Sequence, residues 1–355
     1  MNVCLTDKSK FEKEKNMNNS KQGKVFPLSA YVIATGTAVG RSEHEGPLGR
    51  EFDIHDPEDR FGMPTWEKAE SEMQRVAFSM AMKKSGVRPD DIGALFAGDL
   101  LNQCVGAAYG LVDFDIPYFG LYGACSTSAE GMMLAAMTVS AGYCDLAAAV
   151  TSSHNCSAER QYRTPIEYGG QKPPTAQWTV TGAGAFIVGR EENGIPMARI
   201  TAALPGIVID GGVSDANNMG AAMAPAAADS IIRYFSATGE TADDFDLILT
   251  GDLGNVGSDM LKDVLLAEGC DIRDKHNDCG KIIYKGIDRP DVNSGGSGCG
   301  CAAVTVAAHI LPKIQRGELR RVLFLATGAM MSPSSVQQGL TIPAVAHALV
   351  LETPE

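Results

Sequence analysis

Cys125 is the residue of this sequence best placed to do chemistry. It lies in the turn Gly123-Ala124-Cys125-Ser126-Thr127-Ser128, after an extended apolar run (116–122) and before a predicted helix of small and apolar residues (129–141). A strand, a sharp turn and a buried helix is an arrangement that exposes a nucleophile in enzymes. Unpaired N–H groups at a helix N-terminus favour negative charge, so we expect a lowered thiol pKa and a site for an oxyanion or a ligand carboxylate. The alternative is a buried cysteine that only fills space.

A second glycine-rich turn, Gly295-Gly296-Ser297-Gly298-Cys299-Gly300-Cys301, precedes the predicted helix 302–314. It is either a ligand-facing loop or a point of tight packing between two helix N-termini, and both interpretations stay open. The Cys-Gly-Cys pair could ligate a metal, but a second Cys/His pair with fitting spacing is missing nearby. We therefore expect no metal site.

The histidines are scattered and none of them carries a diagnostic motif. His154 follows the strand after the Cys125 helix and could reach its pocket, as could His347, while His309 is expected to pack inside a helix. Residues 155–182 form a long, weakly periodic insertion, which is uncommon in loops unless they are functional. A planar anionic aromatic ligand would suit its cationic and aromatic residues, which are Arg160, Arg163, Lys172 and Trp178. The alternative is a covering loop.

Composition sets the broad class. The chain has 355 residues, 45% of them hydrophobic and 21% charged, which is typical of a soluble globular protein with room for two core-sized units. The net charge of −13 argues against a nucleic-acid surface. Nine cysteines, an odd number, do not suggest a disulfide framework.

We expect no signal peptide and no transmembrane segment, because no apolar run approaches the roughly 20 residues that span a bilayer. Residues 1–22 are polar and locally basic, which predicts a disordered tail.

The sequence repeats itself. Residues 88–100 and 241–253 both read Asp-Asp, an apolar residue, a strand and Gly-Asp-Leu, and each follows a predicted helix, 66–85 or 224–235. The strands 146–150 and 322–326 each follow a Gly-bearing turn. Alternating strands and helices imply mostly parallel sheets that are covered on both faces. We therefore predict two related halves, 23–190 and 191–355, around a shared central layer of helices that includes the one after Cys125.

Four phrases, in order along the chain, resemble known proteins. They are Thr65 to Ser71, the Cys125 turn, Pro174 to Gly184 and Thr250 to Gly254. The turn and the duplicated halves resemble the thiolase superfamily, especially the ketoacyl synthases. The four phrases together resemble the stage V sporulation protein AD (SpoVAD) family, over about residues 25 to 355.

This resemblance implies a thiolase-like α/β fold, a five-layered αβαβα sandwich built from two duplicated halves, and a homodimer. It also implies binding of dipicolinate (pyridine-2,6-dicarboxylate), alone or as its calcium chelate, with no other cofactor. The protein would serve the spore SpoVA assembly in the uptake of dipicolinate with calcium during sporulation. Its partners would then be other SpoVA proteins, and it would lie in the forespore or spore, peripheral to the inner membrane.

The same resemblance places the synthase cysteine on Cys125, the synthase histidine on Gly251 or Asp252, and the synthase asparagine near Gly295. Condensation needs donors that stabilise a developing enolate; a glycine side chain offers none and a carboxylate has the wrong sign. We therefore expect no catalytic residues. The expected ligand-binding residues are Cys125, Ser126, His154, Trp178, Asp252, Asn293 and Ser297. The alternative function is an acyl-transferring or condensing enzyme of the ketoacyl synthase type that uses Cys125 with His154 or His347 as its base.

Overall fold

The computed structural model describes residues 24–162, 172–190, 195–287, 289 and 292–354. The predicted tail 1–22, Arg163, and the predicted crossover between the halves at 191–194 lie outside these residues.

Thirteen strands lie within the described ranges: β1 Phe26–Val39, β2 Ile54–His55, β3 Ala94–Gly98, β4 Tyr118–Leu121, β5 Leu146–Ser153, β6 Trp178–Thr179, β7 Gly182–Gly189, β8 Ala198–Leu204, β9 Leu247–Thr250, β10 His276–Asp278, β11 Gly296–Ser297, β12 Arg321–Ala329 and β13 Ala344–Glu352. The helices there are α1 Arg41–His44, α2 Trp66–Ser85, α3 Val105–Leu111, α4 Thr127–Ser140, α5 Asn155–Tyr162, α6 Met219–Thr238, α7 Gly254–Ala267, α8 Cys279–Ile283, α9 Cys299–Thr305, α10 Leu311–Gln315 and α11 Pro333–Gln337. A π-helical turn, Val306–Ile310, joins α9 to α10.

The two halves have the same strand order. One half runs β4-β3-β5-β7-β1 and the other runs β10-β9-β12-β13-β8, so each strand has a counterpart at the same position. β1 pairs antiparallel with β8 and joins the halves into one continuous sheet. The predicted duplication is therefore present in the topology, and the pairs β3–β5 and β9–β12 are parallel as expected from the alternating pattern.

Helices cover the sheet in layers. One core lies between α4, the α9–α10 helix and the inner faces of both halves, and it includes Met132, Phe186 and Phe324. A second core packs α6 and α7 on the outer face of the C-terminal half, and a third packs α2 and α3 on the outer face of the N-terminal half. This arrangement confirms the predicted αβαβα layers with the Cys125 helix in the centre.

The small residues of α4 explain how it fits between two sheet layers. Ala129, Ala135 and Ala136 are fully buried, and a Cβ atom at Gly131 would lie 3.3 Å from the Cβ of Ala149 on β5. A helix that is apolar on all sides is buried, as the sequence predicted. Its position fixes the Cys125 turn against both sheets.

Two local predictions need correction. The insertion 155–182 is not a loop at its start, because residues 155–162 form α5, with Ala158 and Glu159 facing inward. The helical spacing of Ala69, Met73, Val76 and Met80 predicts one buried apolar stripe on α2, but Val76 and Met80 are only half-buried, and the buried stripe also carries the polar Glu70 and Gln74. These two side chains meet Ser152 of β5 by hydrogen bonds, so part of the buried face is polar.

Candidate functional site: a pocket at Cys125

Cys125 lies in a single 3-10 turn, Ala124–Ser126, that leads into α4. Ala124 has a φ of +51°, a left-handed conformation that non-glycine residues seldom adopt and that marks a constrained turn. β12 packs directly against this turn, since a Cβ atom at Gly328 would lie 2.3 Å from the carbonyl oxygen of Gly123. The turn is thus held between β4, α4 and β12.

A pocket of about 50 Å³ opens beside the thiol. It is built mainly from α5 on one side and from the ends of β6, β11 and β12 on the other. The described residues that line it are Leu100, Ala124, Cys125, Ala158, Glu159, Tyr162, Thr179, Met219, Ser297, Gly298, Ala329 and Met331. Most of these side chains are apolar or neutral, so the pocket offers few fixed charges.

The thiol of Cys125 does not have the lowered pKa that the helix N-terminus predicted. Burial, followed by the nearby Asp252 carboxyl, raises the pKa of the Cys125 thiol well above its usual value. Two of the N–H groups expected to face a ligand are already used, because those of Ser126 and Thr127 donate to the carbonyl oxygens of Gly123 and Ala124. Burial therefore disfavours the thiolate, and the prediction of a lowered thiol pKa was wrong.

Asp252 lies buried next to this site. Its side chain is fully buried, and neither carboxyl oxygen accepts a hydrogen bond from a nitrogen or oxygen atom of the described residues; the Cys301 thiol is a donor beside it. Burial, together with the charge of Asp278, raises the pKa of Asp252 well above its usual value. Asp278 differs because it accepts hydrogen bonds from Thr250 and from the backbone N–H groups of Leu253 and Gly254. While its carboxyl keeps the proton, Asp252 can donate as well as accept a hydrogen bond; once ionised, it places a negative charge beside the thiol.

Backbone donors approach the sulfur from the second glycine-rich turn. The N–H groups of Gly298 and of Cys125 itself are aimed at the Cys125 sulfur and favour a negative charge there. Gly298 has a φ of +102°, and a Cβ atom on it would lie 2.6 Å from Oγ of Ser153. Only glycine fits here, so this turn both faces the pocket and packs tightly, and the two interpretations left open by the sequence hold together.

Glu159 brings a carboxylate to the pocket wall. Its Oε1 lies 2.8 Å from Nζ of Lys172 and accepts a hydrogen bond of 3.1 Å from Oγ1 of Thr179. Glu159 and Thr179 are buried, and Lys172 is half-buried. Sequence reasoning missed Glu159 because it stands among several charged residues; its i, i+3 relation to Tyr162 on one helix face is the signal that could have found it.

The predicted histidines make structural contacts instead. The N–H of Cys156 donates to Nδ1 of His154 (3.2 Å), so the proton is on Nε2, which donates to the carbonyl oxygen of Asp59 (2.8 Å). Burial lowers the pKa of His154, which keeps it neutral. His347 accepts from the N–H of Gly206, and burial lowers its pKa to about 4. All six histidines of the chain are among the described residues, and none lines the pocket.

The other predicted ligand-binding residues lie in different places. Ser297 lines the pocket, whereas Ser126 lies behind the turn and donates to the carbonyl oxygen of Gly123 (2.7 Å). Trp178 is separated from the pocket, with Lys172 and Arg289 over its ring at 4.6 and 4.9 Å. Asn293 is exposed on a different groove.

The positions where a synthase would carry histidine and asparagine are closely packed. A Cβ atom at Gly251 would lie 3.1 Å from both Ala302 Cβ and Ala326 Cα. Gly295 has a φ of +89°, and a Cβ atom there would lie 2.7 Å from the carbonyl oxygen of Gly280. Larger side chains at these positions would therefore require the neighbouring backbone to move.

Comparison with solved structures identifies the fold. The acetyl-CoA acetyltransferase of Syntrophomonas wolfei aligns over 93% of this chain and 100% of its own, with a TM-score of 0.59 and 9% identity. The priming β-ketosynthase of the R1128 polyketide pathway aligns over 92% and 98%, with a TM-score of 0.53 and 15% identity. At such identities the likeness shows the thiolase fold alone, as predicted.

Sequence comparison decides the family. The family model described as stage V sporulation protein AD matches residues 20–352, and the stage V sporulation protein AD of Bacillus subtilis (strain 168) is 47% identical over 334 residues, covering 94% of this chain and 97% of that protein. The chain belongs to the stage V sporulation protein AD family. The predicted family and the sporulation role that goes with it are confirmed.

Two further features of this SpoVAD family member bear on its function. No helix in the described ranges is long and apolar enough to cross a membrane. Within the same ranges, His, Cys, Asp and Glu side chains do not converge in a group of three that could hold a metal ion. The eight described cysteines are all free thiols.

Proposed function

We propose that this protein is a non-catalytic, dipicolinate-binding component of the spore SpoVA assembly, for uptake of dipicolinate with calcium during sporulation. Family membership supplies the sporulation role. The observation that carries the binding proposal is the Cys125 pocket itself, a small and mostly apolar site whose wall brings the Cys125 thiol and the Gly298 turn together. Backbone N–H groups of such turns bind a carboxylate without any acid/base chemistry.

The size of the pocket limits how a dicarboxylate could lie in it. Its volume of about 50 Å³ is well below the roughly 150 Å³ of an apolar cavity that holds benzene. One carboxylate fits beside Cys125 and Gly298, and the aromatic ring then lies toward the mouth, near Tyr162 and Met331.

The charge of the wall favours the calcium chelate over the free dianion. Glu159 is the acidic residue among the described lining, and Lys172 lies 2.8 Å from its carboxylate, so this pair carries no net charge. A dipicolinate dianion would bring two negative charges next to this neutral pair, whereas its chelate with calcium carries no net charge. Because burying an unpaired charge costs several kcal/mol, the neutral species is the better fit.

The experiment that tests this proposal is a calorimetric titration with dipicolinate, with and without calcium. We expect saturable binding that is at least severalfold tighter with calcium. Glu159→Gln should reduce the calcium effect, and Glu268→Gln, an exposed position, serves as the matched control. No saturable binding in either condition would contradict the proposal.

The absence of catalysis is part of the same proposal. Incubation with acyl-CoA and a malonyl thioester should give no condensation product and no acyl adduct on Cys125 by mass spectrometry. An adduct that disappears in Cys125→Ala would instead support an acyl-transferring enzyme. We further propose that the protein is a homodimer that acts with other SpoVA proteins at the surface of the spore inner membrane.

A further inference from the structure

A groove lined by basic residues lies near the Cys125 pocket but is separate from it. Its volume is about 470 Å³, and it is formed by α8 and the segment that follows. A parallel ribbon, β6 with β11, separates the two sites. Thr179 and Ser297 of the ribbon line the Cys125 pocket, whereas the ring of Trp178, on the opposite face, contacts Arg289 of the groove.

Three cations of this groove lack an acidic partner. They are Lys281, Lys285 and Arg289, and none lies within ion-pair distance of a carboxylate in the part of the chain that the structure describes. The nearest acid on the same element, Asp278, is buried and already accepts four hydrogen bonds. The described lining contains neither Asp nor Glu. In a chain of net charge −13, the described lining of this groove carries three positive charges and no negative one.

The rest of the wall suits a small polar ligand. Three amides, Asn255, Asn277 and Asn293, stand beside the cations, with a few apolar side chains between them. The volume lies within the range of about 300–1,000 Å³ for small-molecule sites. Guanidinium and ammonium groups bind the oxygens of phosphate and carboxylate groups strongly, through charge-assisted hydrogen bonds. An anion of charge −2 would also relieve the repulsion among the three cations.

We propose that this basic groove is a binding site for a small oxyanion of charge −2, either a phosphate or a dicarboxylate, independent of the Cys125 pocket. The cations hold the charged groups and the asparagine amides hold further oxygens. A single two-stranded ribbon separates this groove from the Cys125 pocket, so the two sites are close enough to bind the same class of ligand.

The test is calorimetry on the full chain with two probes, inorganic phosphate and pyridine-2,6-dicarboxylate, at low and at 0.5 M salt. We expect saturable binding of at least one probe, weakened by salt. The triple variant K281Q/K285Q/R289Q should lose at least tenfold in affinity. The control K24Q/K68Q/K83Q removes the same charge from exposed lysines elsewhere and should change affinity less than twofold. Lys285→Gln alone, at an exposed position, provides the test if the triple variant loses its fold.

Equal affinities in the triple variant and the control, or no saturable binding of either probe, would overturn the proposal. Cys125→Leu separates it from the function proposed above. Phosphate binding that survives Cys125→Leu but not the triple variant supports the groove. Dicarboxylate binding that is lost only in Cys125→Leu assigns that ligand to the Cys125 pocket and leaves phosphate as the ligand of the groove.

Discussion

Beyond burial, which has the larger effect, the carboxyl group of Asp252 raises the pKa of the Cys125 thiol, although the two residues come from different halves of the duplicated fold. Both side chains are buried, and the carboxyl accepts no hydrogen bond from a nitrogen or oxygen atom of the described residues. A carboxyl group in this place does the opposite of what a histidine would do for a nucleophile, since its ionised form disfavours the thiolate. The pair is suited to binding and unsuited to covalent catalysis.

The Cys125 thiol should therefore react slowly with iodoacetamide at pH 7.5, with a rate that keeps rising beyond pH 9. At a pH where the Asp252 carboxyl has ionised, Asp252→Asn should increase the rate, because it removes a negative charge that disfavours the thiolate. Peptide mapping by mass spectrometry measures each cysteine separately, and the half-buried Cys144 is the internal reference. A rate for Cys125 that reaches a plateau below pH 7 would contradict the assigned state of the thiol.

Restoring an asparagine at the synthase position should destabilise the protein. Gly295→Asn places a Cβ atom 2.7 Å from the carbonyl oxygen of Gly280, and overpacking of this kind costs about 1–3 kcal/mol. Gly269→Asn is the matched control, because Gly269 has a similar φ of +80° and open space around it. Urea unfolding should show the larger loss of unfolding free energy in Gly295→Asn. Equal losses in the two variants would mean that the close packing at position 295 does not cause the destabilisation.

The fold followed from the sequence more completely than the site did. Repeated Asp-Asp and Gly-Asp-Leu phrases, and the helical period of residues 66–85, are local patterns, and they predicted the duplicated halves and α2. The thiol of Cys125 was misjudged because its pKa depends first on burial in the folded protein and then on Asp252, 127 residues later in the chain, which no local pattern places beside it. Trp178 and Thr179 are neighbours in sequence, yet they face different sites, since consecutive strand residues point to opposite faces.

The free edge of the sheet gives a prediction on assembly. β4 lies at one end of the strand order, and Phe119 and Tyr122 are exposed on or next to it. Exposed edges with apolar side chains favour pairing with another chain. We expect a homodimer by light scattering at micromolar concentration, and Phe119→Lys should shift it toward monomer while Tyr143→Lys, at an exposed turn, should not. A wild-type monomer mass would contradict this prediction.

Stability should fall as the pH rises from about 5 to 8. Glu43 is buried, accepts hydrogen bonds from Tyr284 and the N–H of Thr181, and burial raises its pKa from 4.5 to about 7. The folded state therefore binds its proton more tightly than the unfolded state. The contribution of protonated Glu43 to the free energy of unfolding is complete below pH 4.5 and is lost as the pH rises through 7.

The loss amounts to roughly 3 kcal/mol, since each pKa unit corresponds to about 1.4 kcal/mol. Glu43→Gln should flatten this part of the pH profile in chemical unfolding experiments, and the exposed Glu268→Gln should leave it unchanged. Unfolding free energies for Glu43→Gln that fall as steeply as those of the wild type would show that another group is responsible.

The most direct test of the central claim, that the Cys125 pocket binds dipicolinate, is a calorimetric titration of three proteins with the calcium chelate: wild type, Cys125→Ala and Cys125→Leu. A pocket of about 50 Å³ has no room for two more methyl groups beside a carboxylate, so the leucine variant should show no measurable binding. The alanine variant loses one weak contact, on the order of 1 kcal/mol, and should bind severalfold more weakly. Unchanged affinity in Cys125→Leu, with the fold intact by circular dichroism, would place the ligand elsewhere and contradict the account.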